Sequence, residues 1–216
     1  MKSDFEAMSS SDPRQRLEQA EAFCQVIRAL HQRGWCEGTG GNFSMVLSTS
    51  PLSLLMAPSG VDKGLLRAAD LLVVDAEGHV REGLGKASAE TLLHLAIVET
   101  TQAGAVLHTH SQSATLLSRL EGCRSPAESA QTEAAQGRQQ PQVVLGLENQ
   151  HGNPGGTPAD KSFLGYLHIS GLEMLKGLEG IHSHTNSIAL PILANSQDMV
   201  ALSQSARPYQ IGRAHV

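Results

Sequence analysis

Apolar positions recur with a 3.6-residue period through Leu17, Ala20, Cys24, Ile27 and His31, which predicts a helix with one buried stripe. Its start falls at Ser11 or Asp12, whose side chains can accept from the first unpaired backbone N–H groups. Pro13 then takes the first helical position, where a missing N–H costs nothing, and Gly34 ends the helix. Short apolar runs at residues 44–47 and 54–57 predict two strands of a hairpin closed by Pro58-Ser59-Gly60. Residues 71–74 predict another strand, with Asp75-Ala76-Glu77-Gly78 as its turn, and residues 59–80 read as a β-meander. A second helix is expected over residues 89–101, capped by Ser88, with Glu90 in a first turn where the helix dipole favours an anion. Gly104 breaks it, and Ala105-Val106-Leu107 predicts a buried strand that delivers His108-Thr109-His110. A third helix follows through Leu120, and the uneven alternation of strands and helices implies a mixed sheet with flanking helices.

The pattern then lapses. Residues 122–161 are dominated by Gln, Gly, Pro, Ser, Ala and Glu, apart from Val143-Val144-Leu145-Gly146-Leu147. Such a stretch buries too little apolar surface to offset its ordering entropy, so it is expected to be a disordered, exposed insertion and the first site of limited proteolysis. Regular structure is expected again from Phe163, with a helix at residues 173–178, a strand at 190–193 and a short helix from Ser196. Residues 1–210 are read as one domain, incomplete at its C-terminus. Ile211-Gly212-Arg213-Ala214-His215-Val216 reads as a non-native tail translated from the end of a DNA fragment.

Composition narrows the functional classes. Aromatic residues make up only 3% of the 216-residue chain, so the core has to be built from Leu, Val, Ile and Ala. A net charge of −5 without a Lys or Arg block argues against nucleic-acid or polybasic membrane partners, and a small anionic substrate needs local donors. The cysteines Cys24, Cys36 and Cys123 are odd in number and form no C-x-x-C pair, which points to a reducing, cytoplasmic setting. The polar segment before Pro13 carries no signal-peptide pattern.

Three kinds of group carry candidate chemistry. His108 and His110 are two apart at a strand end, so their imidazoles point the same way and suit a shared zinc ion. With ten histidines in the chain, and a second such pair at His182 and His184, the spacing alone leaves ligand and bystander evenly matched. Thr39-Gly40-Gly41-Asn42, Ser59-Gly60 and Ser88 form turns that would hold a phosphate if they converged, although glycine and serine make turns anyway. Lys63 and Lys86 add charge nearby, but lysines are ordinarily just solvated. Glu90 and Glu173 are candidates for proton transfer, against the commoner role of a glutamate at a helix start.

Taken together the pieces resemble the class II aldolase and adducin family. The matching stretches are Gly38-Thr39-Gly40-Gly41-Asn42-Phe43-Ser44, Ala57-Pro58-Ser59-Gly60, Ser88-Ala89-Glu90 and Gly104-Ala105-Val106-Leu107-His108-Thr109-His110-Ser111, in family order and spacing. Gly34-Trp35, Val61-Asp62-Lys63-Gly64 and Glu173-Met174-Leu175-Lys176-Gly177-Leu178 are similar to the branch that dehydrates 5-methylthioribulose 1-phosphate in methionine salvage. The resemblance implies an α/β fold: a three-layer α/β/α domain with a mixed, mostly antiparallel central sheet, assembled as a homotetramer. It also implies one zinc per subunit on His108 and His110, and a phosphorylated ketose held around Thr39, Asn42, Ser59, Gly60 and Ser88. Glu173 would be the catalytic acid/base, and Glu90 occupies the position of the catalytic glutamate in the aldolase relatives.

The chain departs from the family pattern in two places. The third zinc-ligating histidine has no counterpart, because only His215 follows Arg207, and the 122–161 segment is longer than the family's. Loss of one ligand in three implies weak zinc binding and a nearly inactive chain. A sugar-phosphate aldolase or epimerase of the same superfamily, and a non-catalytic adducin-like binding module, are the competing readings.

Overall fold

A computed structural model describes residues 12–122, 163–178, 181–194 and 196–209. The expectations for the 122–161 insertion, beyond Gly122, and for the 211–216 tail lie outside them. The chain divides into two compact units, Met1–Gln112 and Ser113–Val216.

The first unit opens with α1 (Pro13–Gln32), whose N-cap Asp12 accepts a hydrogen bond from Arg14 N at 2.9 Å. The carboxylate satisfies a donor that the helix itself cannot, so Asp12→Ala should lower stability by about 1 kcal/mol in urea unfolding. An unchanged midpoint would show that water serves the cap equally well. Helix α1 buries Ala20, Phe23, Cys24 and Ile27. The expected stripe is thus shifted: Leu17 is 58% exposed, and Phe23 takes a place the pattern did not give it.

Five antiparallel strands follow in the spatial order β4-β3-β2-β1-β5: β1 (Asn42–Thr49), β2 (Leu52–Met56), β3 (Leu72–Asp75), β4 (Val80–Glu82) and β5 (Ala105–His108). Strand side chains alternate between faces, and the sheet is apolar on both. One face presents Phe43, Leu55, Ala57 and Val73 to Ala20, Phe23, Cys24 and Ile27 of α1. The other presents Val46, Leu54, Met56, Val74 and Val106 to Leu95 and Val98 of α2 (Thr91–Thr101). A helix on each face of one sheet is the α/β/α layering that the sequence implied.

Helix α2 ends at Thr101 as expected and differs from expectation at its start. It begins at Thr91, with Glu90 rather than Ser88 as its N-cap, and Glu90 makes no side-chain cap bond. Its C-cap is Gln102 in the left-handed conformation, two residues before Gly104. The Glu90 carboxylate is therefore free of helix capping and available to a partner across the sheet end.

The second unit contains most of α3 (Gln112–Gly122) and a hairpin of β6 (Phe163–Ile169) with β7 (Ile188–Leu193). Its described residues also form a 3-10 turn at Glu173–Gly177, α4 (Met199–Ala206) and a 3-10 turn at Arg207–Tyr209. Leu175, Ile181 and Ile188 form its own small buried cluster. The segment expected as a helix from residue 173 is thus one tight 3-10 turn. No helix among the described residues is long and apolar enough to cross a membrane.

Candidate functional site

Strand register creates the centre of the site. Asn42, the first residue of β1, lies opposite His108, the last of β5, so the amide and the imidazole emerge together at one end of the sheet. His108 Nδ1 stands 2.5 Å from Glu90 Oε2, at the start of α2. Ser88 Oγ donates to Asn42 Oδ1 at 2.6 Å, which turns the Asn42 amide nitrogen outward as a donor to Glu90. Glu90 N in turn donates to Ser88 Oγ at 3.1 Å. The contact of 3.4 Å between Asn42 Nδ2 and His108 Nδ1 brings two donors together and is not a hydrogen bond in this arrangement.

The direction of these bonds sets the tautomer. An ionised Glu90 only accepts, so His108 carries its proton on Nδ1 and offers the Nε2 lone pair. The hydrogen bond from His108 is the chief reason that the Glu90 carboxyl is held below its usual range, with burial opposing and Asn42 assisting. A carboxylate that orients a histidine in this way is the usual outer partner of a metal-binding imidazole.

His110 follows with its ring centroid 4.7 Å from that of His108, the planes inclined by 33°. Its backbone N donates to Trp35 O at 2.7 Å, so the turn after α1 anchors the second histidine. The donor set is chemically suited to zinc, because two imidazoles lie side by side and one is oriented by a carboxylate. It supplies two ligands. Among the described residues, His108, His110 and Glu90 do not bring three ligand atoms within 4.8 Å of one another; Asp75, Glu77 and His79 do. That trio is an ordinary turn, in which Asp75 accepts from the backbone of Glu77 and His79 and pairs with Arg81. It coincides with no part of the histidine site.

The expected phosphate turns are partly joined to this centre. Thr39 and Ser59 are exposed, Gly60 is exposed with φ +75°, and Ser88 is buried beside Asn42. Glu173 belongs to the second unit, where its carboxylate lies 2.6 Å from Lys176 Nζ and 3.2 Å from His184 Nδ1. An open cleft of about 630 Å³ in the first unit is lined by Pro58, Val61, Leu65, Arg67, Asp70 and Leu84 and includes neither histidine.

Two buried polar residues were not read correctly from the sequence. Lys63, expected to be solvated, is only 1% exposed. His94, one turn after Glu90, was not singled out; it is 1% exposed and its Nδ1 lies 2.8 Å from Ser44 Oγ, while its Nε2 has no partner among the described residues. Its four-residue spacing from Glu90 was the available signal. Burial pushes His94 down to about 4, so it is neutral when folded.

The sign of the linkage follows. An unfolded His94 takes up its proton near pH 6.5 whereas the folded one does not until about pH 4. Stability is therefore intact above pH 6.5 and declines as pH falls toward 4, by up to roughly 3 kcal/mol. Urea unfolding at pH 7 and pH 5 should differ accordingly, and His94→Phe should flatten the difference. An equally steep dependence in that variant would assign the effect to other groups.

Comparison with known proteins agrees with the layered sheet. The model of the class II aldolase and adducin N-terminal domain matches residues 21–154. A methylthioribulose-1-phosphate dehydratase of Marinobacter nauticus is 30% identical over 191 residues, covering 88% of this chain and 72% of the relative. That of Sorangium cellulosum is 32% identical, covering 86% and 68%. The dehydratase of Pectobacterium carotovorum is 34% identical, covering 89% and 73%. The chain belongs to the class II aldolase and adducin family.

Proposed function

We propose that this chain is a lyase that removes water from 5-methylthioribulose 1-phosphate to give 2,3-diketo-5-methylthiopentyl 1-phosphate, a step of methionine salvage. The observation that carries the reading is the identity of 30% to 34% with three dehydratases over most of the chain. The Ser88–Asn42–Glu90–His108 network supports it, because it prepares one imidazole as a metal ligand beside the glycine-rich turns.

His108 and His110 would hold zinc, one ion per subunit, and bound zinc supplies Lewis acidity toward a substrate carbonyl. Glu90 keeps His108 in the tautomer that presents Nε2 and so orients the site. Thr39, Asn42, Ser59, Gly60 and Ser88 take the substrate phosphate through hydroxyl, amide and backbone donors. Glu173 moves protons: it takes one from C3 or returns one to the departing C4 hydroxyl. Water is lost and no carbon–carbon bond breaks. Cytoplasmic location and assembly as a homotetramer belong to the same reading.

Two imidazoles fill half of a four-coordinate shell, whereas catalytic zinc takes three protein ligands. The 216-residue chain is accordingly expected to hold zinc weakly and to turn over slowly. Zinc titration followed by product analysis tests both parts. Diketone formation in proportion to bound zinc supports the reading; retro-aldol fragments would point to an aldolase, and zinc binding without turnover on any ketose phosphate to a binding module.

A further inference from the structure

Lys63 is a buried cation for which the proposed chemistry has no use. Its ammonium donates to Val61 O at 2.9 Å and reaches Thr39 O and Pro58 O at 3.4 Å each. Its own backbone N donates to Gly38 O at 3.0 Å. Thr39 belongs to the first glycine-rich turn and Pro58 to the second, so a single side chain spans both.

Two other bonds close a ring. Ser59 N donates to Lys86 O at 2.9 Å, which ties the second turn to the segment leading into Ser88. Ser88 Oγ then donates to Asn42 Oδ1, which returns to the first turn. All three expected phosphate turns are thus linked in a circle, and Lys63 is its one ionic link. We propose that Lys63 is a positioning residue that holds the first two turns at the separation a phosphate group requires and adds a fixed positive charge behind them.

The loop bearing Lys63 is itself immobilised. Gly64 lies so close to helix α1 that a Cβ there would stand 2.7 Å from the His31 ring, and its N donates to Asp62 Oδ1 at 2.8 Å. Burial lowers the pKa of the ammonium, with Cys36 and Asp62 opposing. Burying a charge solely to join backbone carbonyls is an expensive way to stabilise a turn, since apolar packing does so without desolvating an ion. A fixed charge in a low-dielectric setting strengthens attraction for an anion nearby, and that return is absent from a purely structural tie.

The inference rests on the reading that these turns bind the phosphate, and the test separates the two. Inorganic phosphate is titrated into the folded 216-residue chain by calorimetry, alongside Thr39→Val and Ser59→Ala, Lys63→Met and Lys63→Arg, and the core variant Val74→Ala as a stability control. Lys63→Met should weaken phosphate about tenfold or more, Lys63→Arg should recover most of that loss, and Val74→Ala should bind as the parent does. Parent-like affinity in a folded Lys63→Met chain, with Thr39→Val and Ser59→Ala weakened, overturns the role of Lys63 alone. Absence of phosphate binding to the parent overturns the reading of the turns and the inference with it. Should Lys63→Met fail to fold, Lys63→Gln takes its place under the same criteria, and failure of both to fold assigns Lys63 to stability and sinks the proposal.

Discussion

Gly41→Ala is expected to destabilise the first unit by about 3–5 kcal/mol and to disturb the histidine site in the same step. A methyl group at this position would lie 2.9 Å from Cys36 Cβ, from the His108 carbonyl oxygen and from the Phe43 ring. None of these is the loose end of a flexible side chain. Cys36 and Phe43 are fully buried, and the His108 carbonyl belongs to a strand paired with β1. Gly41 also has φ +78°, a backbone conformation that costs alanine roughly 1–2 kcal/mol before any contact is considered. Relief has to come from moving the end of β5, which carries His108 away from Glu90. The expected signature is a lowered urea midpoint together with weaker zinc binding. A variant within 1 kcal/mol of the parent that binds zinc normally would show that the strand end is more compliant than its contacts imply.

If Glu173 is the general acid/base of the proposed reaction, Glu173→Gln is expected to lower turnover by roughly 10²–10⁴-fold while leaving zinc content unchanged. The substitution keeps the size and polarity of the side chain and removes only its capacity to exchange a proton. Stability should hardly respond. Glu173 is exposed, its partners Lys176 and His184 are at the surface, and such pairs contribute well under about 1 kcal/mol. Parent and variant are to be compared as zinc-loaded preparations of a chain extended to carry a third zinc-ligating histidine. Turnover within a few-fold of the parent would remove Glu173 from the mechanism, and parallel losses of zinc and turnover would make it a ligand instead.

Much of the first unit was legible from residue order because its signals are local. Pro13 after Asp12 fixed the start of α1, and short apolar runs located β1, β2 and β3 to within about two residues. His108 and His110 do lie ring to ring, but β5 ends at His108, and His110 is held beyond the strand by its bond to Trp35 O. Capping was less legible. Ser88 looked like the cap of α2; its hydroxyl does accept from Glu90 N at the helix start, but it donates to Asn42, a residue 46 positions away. A serine before a helix has the same local pattern in either case, and only a distant partner decides where the hydroxyl points.

The same distinction governs the charged and polar core. Sequence by itself determined the family and the layered α/β plan, because these reside in periodicity and in contiguous motifs. Tertiary structure alone decided that Glu90 faces His108 rather than capping its helix, and that His94 lies neutral against Ser44. It also decided that Lys63 is buried among the carbonyls of two turns. Each of those outcomes depends on what is packed around a polar group from elsewhere in the chain. Desolvation and hydrogen bonding are set by that surrounding, and the identity of the residue does not encode it.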